Sequence, residues 1–444
     1  MISAAWAAPL WDARRYAKRI FDASMDKFLV KGPVRLHGNV TISGAKNASL
    51  ALIPACLLAP GVFTLHNTPN NRDVWTISSL LETMGVGYAF ADNTLTLDST
   101  NITSHEAPYE HVKKMRASIY VLGPLVARFG KARVSLPGGC NFGPRPVDLH
   151  LKGLEKLGAE IQVENGYIEA SCKRLQGAHF HFEISSVGAT VNILMAAVLA
   201  RGETVLSNAA MEPEVSSLAH MLVKMGARID GIDTATLTIQ GVDELHAVTE
   251  TTIPDRIEAA TFMIAAAMTK GDVTLGSVNA DHLTAVIQKL EESGATVVVR
   301  GDSIRVSMDT DPEAVDITTM PYPGYPTDSQ AQWAAYMLQA KGTSRIKDVI
   351  YPTRFGYVPE LQRLGAEIET GDAYCLVKGG HRLTGASVMS SDLRASASLV
   401  MAGCIAEGTT EILRVYHLDR GYEAIEQKLM RLGASIERVS TEEF

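Results

Sequence analysis

Leu157-Gly158-Ala159-Glu160-Ile161-Gln162-Val163-Glu164-Asn165-Gly166-Tyr167-Ile168-Glu169-Ala170 holds a helix end and a whole β-hairpin. Gly158 closes an amphipathic stretch, where a glycine supplies the left-handed cap of a helix. Beyond it the pattern switches to period two, turns, and runs on through Tyr167 to Ala170. The same pattern recurs at Met84-Gly85, Met225-Gly226, Ser293-Gly294, Leu364-Gly365 and Leu432-Gly433, at spacings of 68–73 residues. A second glycine series lies upstream: Gly61, Gly130, Gly202, Gly271, Gly342 and Gly408. Each of these ends a strongly apolar helix candidate and opens a short strand such as Thr204-Val205-Leu206. The chain therefore reads as an α/β protein of six αβαββ-like repeats. The period is too long for a solenoid. It predicts two compact domains of three repeats each.

One repeat is irregular. The interval between its two glycines is 23–25 residues in five repeats and 28 in the second, Gly130 to Gly158. The extra residues fall in Leu136-Pro137-Gly138-Gly139-Cys140-Asn141-Phe142-Gly143-Pro144-Arg145-Pro146-Val147-Asp148. Function concentrates on loops carried by a rigid scaffold.

At 444 residues the chain is long enough for two or three domains. A hydrophobic content of 46% and a charged content of 20% are ordinary for a globular protein. The net charge of −8 speaks against a general nucleic-acid binder. Apolar runs such as Ile193 to Ala200 are too short to span a bilayer and read as buried helices. Five scattered cysteines fit neither a disulfide framework nor a CxxC metal site, and point to a reducing cytosol. In residues 1–24 the basic residues follow the apolar ones, the reverse of a secretory signal. That segment reads as a frayed tail or an upstream start, with Met25 opening the folded protein.

The six apolar helices are expected at Asn47–Pro60, Met115–Phe129, Val187–Arg201, Ile257–Lys270, Ser329–Lys341 and Ala395–Glu407. Polar residues gather at their starts. Ser186, Asp255, Asp328 and Asp392 are N-cap candidates. Lys46, Arg116, Arg256 and Arg394 oppose the helix dipole unless an anion is shared there. If three repeats pack around one axis, these starts converge at one end of each domain. Two domains facing each other would then enclose a positive cleft. Such a cleft predicts a small phosphorylated or carboxylated substrate with more than one anionic group. Arg354 and Arg420 lie in loops at the repeat position that carries Cys140 and Arg145.

Cys56 and Cys404 lie in apolar helices, and Cys172 and Cys375 in strands, so all four read as packing residues. Cys140 follows two glycines, with Arg145 near enough in sequence to lower its pKa, and can serve as nucleophile or proton donor. A metal site of Cys140, Asp148 and His150 is conceivable but lacks a fourth ligand. Prolines on either side of Arg145 suit a fixed, bidentate anion contact.

These motifs resemble the UDP-N-acetylglucosamine 1-carboxyvinyltransferases, a family of enolpyruvyl transferases. The resemblance runs from about Met25 to Val439. It rests on Ser43-Gly44-Ala45-Lys46-Asn47, Met115-Arg116-Ala117-Ser118, Leu136-Pro137-Gly138-Gly139-Cys140, Arg145-Pro146-Val147-Asp148, Ser186-Val187-Gly188-Ala189-Thr190, Pro326-Thr327-Asp328, Asp392-Leu393-Arg394-Ala395-Ser396 and Asp419-Arg420-Gly421-Tyr422. It implies two inside-out α/β domains, each of three repeats around buried helices. Residues 46–253 would form the lobe with the Cys loop, and 25–45 plus 254–444 the other.

The implied reaction moves the enolpyruvyl group of phosphoenolpyruvate to the 3-hydroxyl of UDP-N-acetylglucosamine and releases phosphate. That is the first committed step of peptidoglycan synthesis. By the resemblance Cys140 is the proton donor and Asp328 the candidate general base. Lys46, Arg145 and Arg420 match the phosphoenolpyruvate clamp. Asn47, Arg116, Pro146, Val147, Asp148, Leu149, Ser186, Val187 and Ile350 match positions lining the sugar nucleotide. Arg354 and Arg394 match further substrate-binding residues. No cofactor and no metal are implied. The partners are the two small substrates, with neither nucleic acid nor membrane, and the chain is a monomer or weak homo-oligomer.

Two departures stand out. Ile184 occupies a place where many members carry Lys, and Pro352-Thr353 precedes Arg354 where Glu-Asn is common. The nearest alternative is an enolpyruvyl transferase acting on shikimate phosphate, against which stand the Cys140 loop and Ser186-Val187-Gly188. The other is an inactive paralogue that binds the sugar nucleotide, against which stand Cys140, Asp328 and the clamp residues.

Overall fold

The computed structural model describes residues 25–113, 115–136 and 147–441. They divide into two compact lobes, one built from residues between 44 and 253, the other from 25–43 and 254–441. Each lobe has its own apolar core: Leu50 to Leu245 in the first, Phe28 to Ile436 in the second.

Within a repeat the chain runs inner helix, strand, outer helix, hairpin. In the third repeat these are Val187–Ala197, Glu203–Ser207, Pro213–Lys224, and the pair Arg228–Asp230 and Thr236–Gln240. The inner helices are buried on all sides, as their uniform apolarity requires. In Arg256–Met268 every residue from Ile257 onward is buried. The outer helices are amphipathic; Thr284–Glu292 buries only Val286 and Leu290. All six cap glycines, Gly85, Gly158, Gly226, Gly294, Gly365 and Gly433, have positive φ, as a left-handed cap needs. Gly271 in the second series is different. There Lys270 takes the positive φ, and a Cβ on Gly271 would meet the Leu36 carbonyl oxygen at 2.1 Å.

The structure adds a strand that the αβαββ reading lacks. After each hairpin a short segment pairs in parallel with the central strand of another repeat. Glu106–Ala107 joins Lys131–Ser135, and His179–His181 joins Glu203–Ser207. Thr249–Thr251 then returns to Val62–His66 of the first repeat. Three four-stranded sheets of the first lobe are linked in a ring this way. At two to three residues these strands are too short for a period-two signal.

The second lobe closes with the N-terminal residues. Ser435–Thr441 pairs antiparallel with Met25–Gly32, which occupies the sheet position that the second hairpin strand holds in the other repeats. His37–Thr41 then runs parallel to Asp272–Gly276 of repeat four. Ser43 is fastened by three side chains of this lobe. Glu258 accepts from its backbone N–H at 2.7 Å, Glu423 from its hydroxyl at 2.8 Å, and Lys428 donates to that hydroxyl at 2.8 Å.

Helix starts depart from expectation in two repeats. Arg116–Val121 and Thr327–Ser329 are 3₁₀ turns preceding the α-helices Leu122–Phe129 and Gln330–Met337. Lys46–Ala55 likewise ends in a 3₁₀ turn, Cys56–Leu58, short of Pro60. Pro54 sits within that helix, near its end.

Candidate active site

The inner helix starts of the second lobe carry a charged cluster. Its three inner helices touch one another pairwise. Asp255 caps its helix, accepting from Ile257 and Glu258 N–H at 2.8 and 3.0 Å. Asp392 does the same for Arg394 and Ala395 at 2.8 and 3.1 Å. Asp328 does not cap. It sits inside its 3₁₀ turn, where Pro326 holds the N-cap position without a side-chain bond. Its carboxylate faces cations instead. Arg354 Nη2 donates to Oδ1 at 2.9 Å, and Arg394 Nε lies 3.4 Å from the same oxygen.

Both guanidiniums are buried, Arg354 7% exposed and Arg394 4%. Arg354 is therefore no solvated loop charge. Burial opposes the charge on Asp328, but Arg394, then Arg354, then Arg256 outweigh it and hold the carboxyl far below the usual carboxylate range. Below the cluster, Gln332 Nε2 donates to the Asp328 carbonyl at 3.0 Å and reaches Thr261 Oγ1 and Tyr422 Oη at 3.2 and 3.3 Å. Ile350 N–H is held by Asp348 at 2.9 Å. Arg420 ends the 3₁₀ segment Val415–Arg420 and is half-buried.

In the first lobe Lys46 and half-buried Asn47 open an inner helix whose start, Ala45, offers no side-chain cap. Lys46 Nζ lies 2.9 Å from Asp73 Oδ2. Asp73 is 2% exposed and stands in the first turn of Arg72–Thr83. Ser186 caps Val187–Ala197 through Ala189 N–H at 3.4 Å. Val187, Val147, Asp148, Leu149 and Arg116 are all half-buried. Asp148 opens the outer helix Asp148–Lys156 and lies 3.6 Å from Lys152. Ile184 is 73% exposed. Cys140, Arg145 and Pro146 lie outside the described residues.

Three residues that the sequence reading passed over, or weighed only for metal, lie near the first lobe's helix starts: Asn192, His150 and Asp73. Asn192 Oδ1 accepts from Gly123 N–H at 2.6 Å, so its Nδ2 is the donor to the Ile119 carbonyl at 3.1 Å and to His150 Nδ1 at 3.0 Å. That assigns the proton of buried His150 to Nε2. A Cβ on Gly188, second residue of the helix Val187–Ala197, would stand 3.3 Å from this Nε2 and from Tyr120 Oη. Burial first and the Arg116 charge second push His150 down to about 4, against the opposing Asp148 carboxylate. A buried, neutral donor thus lies beside a helix start and Arg116. Asp73 was missed for a plain reason: an acidic residue in a first helical turn is ordinary, and only its burial against Lys46 distinguishes it. Among the described residues no group of three or more His, Cys, Asp or Glu is arranged to hold a metal ion.

Two inside-out lobes of repeated α/β units with cation-rich inner helix starts define the enolpyruvyl transferase class. The family described as EPSP synthase (3-phosphoshikimate 1-carboxyvinyltransferase) matches residues 30–429, and the chain belongs to that family. Within it, the chain is 56% identical to the UDP-N-acetylglucosamine 1-carboxyvinyltransferase of Chlorobium chlorochromatii, covering 95% of this chain and 100% of that one. It is 54% identical to the enzyme of the same name from Chloroherpeton thalassium, covering 95% and 99%. Among solved structures, the enolpyruvyl transferase NikO from Streptomyces tendae matches with a TM-score of 0.85 at 25% identity, over 94% of this chain and all of that one. An EPSP synthase from Acinetobacter baumannii matches with a TM-score of 0.72 at 20% identity over the same shares, a likeness of fold.

Proposed function

We infer that this chain transfers the enolpyruvyl group of phosphoenolpyruvate to the 3-hydroxyl of UDP-N-acetylglucosamine with release of phosphate. The observation that carries this is identity above one half, along nearly the whole chain, to enzymes of that name. The Asp328–Arg354–Arg394 cluster supports it chemically.

The reaction needs a base, an acid and several cations. The sugar hydroxyl oxygen adds to C2 of the enol while a proton adds to C3, giving a tetrahedral adduct. Loss of phosphate from C2 and of one proton from C3 then restores the double bond in the product. Asp328 is the group for the hydroxyl proton. It is ionised throughout the working range, so it is always ready to accept. Two guanidiniums make it a weak base while the site is empty. A substrate phosphate or carboxylate that drew on Arg354 or Arg394 would raise its basicity at the moment of need. Cys140 is the proton donor to C3. Lys46, Arg145 and Arg420 hold phosphoenolpyruvate. Asn47, Arg116, Pro146, Val147, Asp148, Leu149, Ser186, Val187 and Ile350 line the sugar nucleotide.

The reaction class places the chain at the first committed step of peptidoglycan synthesis, and hence in cell-wall biogenesis, shape and division. The cytoplasm is the compartment that supplies both substrates and keeps its cysteines reduced. Among the described residues no helix is long and apolar enough to cross a membrane. The test is phosphate release from phosphoenolpyruvate with UDP-N-acetylglucosamine, set beside shikimate 3-phosphate and beside Cys140→Ser. Release with the sugar nucleotide alone, lost in Cys140→Ser, is the expected result. Release with shikimate 3-phosphate only, or with neither acceptor, overturns the reading.

A further inference from the structure

One buried carboxylate that the reaction does not use ties together three residues that it does. Asp348 ends the strand Thr343–Asp348 and is fully buried. Its Oδ1 accepts from the Thr319 hydroxyl at 2.7 Å and from the backbone N–H groups of Ile350 and Tyr351 at 2.9 and 2.8 Å. Its Oδ2 accepts from the Thr327 hydroxyl at 2.6 Å. Thr327 has then committed its one hydrogen, and its oxygen can only accept. It does so from Arg354 Nη1 at 3.1 Å. The same guanidinium donates through Nη2 to Asp328. Every bond along Asp348, Thr327, Arg354 and Asp328 has its direction fixed by the one before.

We propose that Asp348 and Thr327 are positioning residues for the transfer, aiming the Arg354 guanidinium and through it the Asp328 carboxylate. This rests on the transferase reading of Asp328 and Arg354. A purely structural role for Asp348 would be to close the turn at 349–351, and Oδ1 does that by itself. Among the described residues the hydrogen bond to Oδ2 comes from Thr327, outside the turn and directly before Asp328. A planar guanidinium with one nitrogen on Thr327 and the next on Asp328 has no rotational freedom left, which is how a rigid donor holds a reacting group in place.

The two halves of Asp348 can be separated. Asp348→Asn, with its amide oxygen in place of Oδ1, keeps the turn but turns an NH₂ donor toward Thr327, so the hydroxyl can no longer donate there. Thr327→Val removes the hydroxyl and leaves the turn untouched. Thr327→Ser retains it. Turnover and KM for UDP-N-acetylglucosamine are measured by phosphate release, with wild type in parallel. Asp348→Asn and Thr327→Val are each expected to lower kcat about tenfold or more, with KM little changed. The double variant is expected to be no worse than the singles, because both cut one chain. Thr327→Ser should turn over near the wild-type rate. Unchanged kcat in Thr327→Val, multiplying losses in the double variant, or a Thr327→Ser as slow as Thr327→Val would overturn the proposal. If Asp348→Asn does not fold, the two Thr327 variants decide it. An active wild type with unaffected variants sinks only the positioning role; an inactive wild type sinks the transferase reading beneath it.

Discussion

Asp328 and Arg394 come from different repeats of the second lobe, yet Arg394 Nε stands 3.4 Å from Asp328 Oδ1. Arg354 reaches that same oxygen at 2.9 Å. One carboxylate oxygen therefore balances two buried guanidiniums: Arg394 at the start of an inner helix, where the helix dipole disfavours a cation, and Arg354 in the loop before the outer helix Val358–Arg363. The charges of the cluster are compensated from within.

Asp328→Asn removes that compensation. Turnover is expected to fall roughly a hundredfold or more, as for loss of a general base. Stability should fall as well, because two buried cations lose their counter-ion. Breaking a fully buried pair costs about 3–5 kcal/mol; Asp328 is 26% exposed, so the loss should be smaller. Added phosphate should raise the melting temperature of the variant more than that of wild type, since an external anion takes the vacated role. Full turnover in Asp328→Asn would remove this residue from the mechanism.

His150 sets an acid limit. Its ordinary value near 6.5 is pushed down to about 4 in the folded chain. Between those two values the unfolded chain binds the proton and the folded chain does not. The stability it contributes is therefore fully present above about pH 6.5 and is lost as pH falls toward 4. The size is on the order of 3 kcal/mol at most. Urea unfolding measured across that window should show the slope, and His150→Gln should flatten it. An equal slope in His150→Gln would assign the effect to other groups.

Cysteine chemistry gives an independent check on the loop. Burial pushes the thiols of Cys56, Cys404 and Cys375 up, the latter two to about 12, and raises that of half-buried Cys172. None of the four offers a thiolate near neutral pH. A small electrophile such as fosfomycin should therefore modify Cys140 first, and more readily with the sugar nucleotide bound. Peptide mass spectrometry locates the adduct. Labelling that falls on Cys56 or Cys404 instead would refute the assignment.

Much of the architecture was legible because it is local and repeated. A cap glycine must adopt positive φ wherever it occurs, so six glycines at regular spacing announced six helix ends. Uniform apolarity marked the inner helices, and alternation marked the hairpins. The short parallel strands were not legible. Glu106–Ala107 is two residues long, and its pairing with Lys131–Ser135 is made by the sheet, not by its composition.

The candidate site divides along the same line. Asp255, Asp328 and Asp392 look alike in sequence, each an acid at the start of an apolar run. Two of them cap, and Asp328 binds arginines. The difference lies in backbone geometry at Pro326, in Arg354 folding back from the loop beyond the next strand, and in Arg394 arriving from the following repeat. The partners of Lys46 and His150, namely Asp73 and Asn192, also come from distant segments. Residue type and spacing settle which chemistry is available, because they act through local backbone and side-chain properties. Which acid caps, which one meets cations, and which tautomer a buried imidazole keeps were settled by tertiary structure alone, because charge and hydrogen-bond partners act through distances that only folding creates.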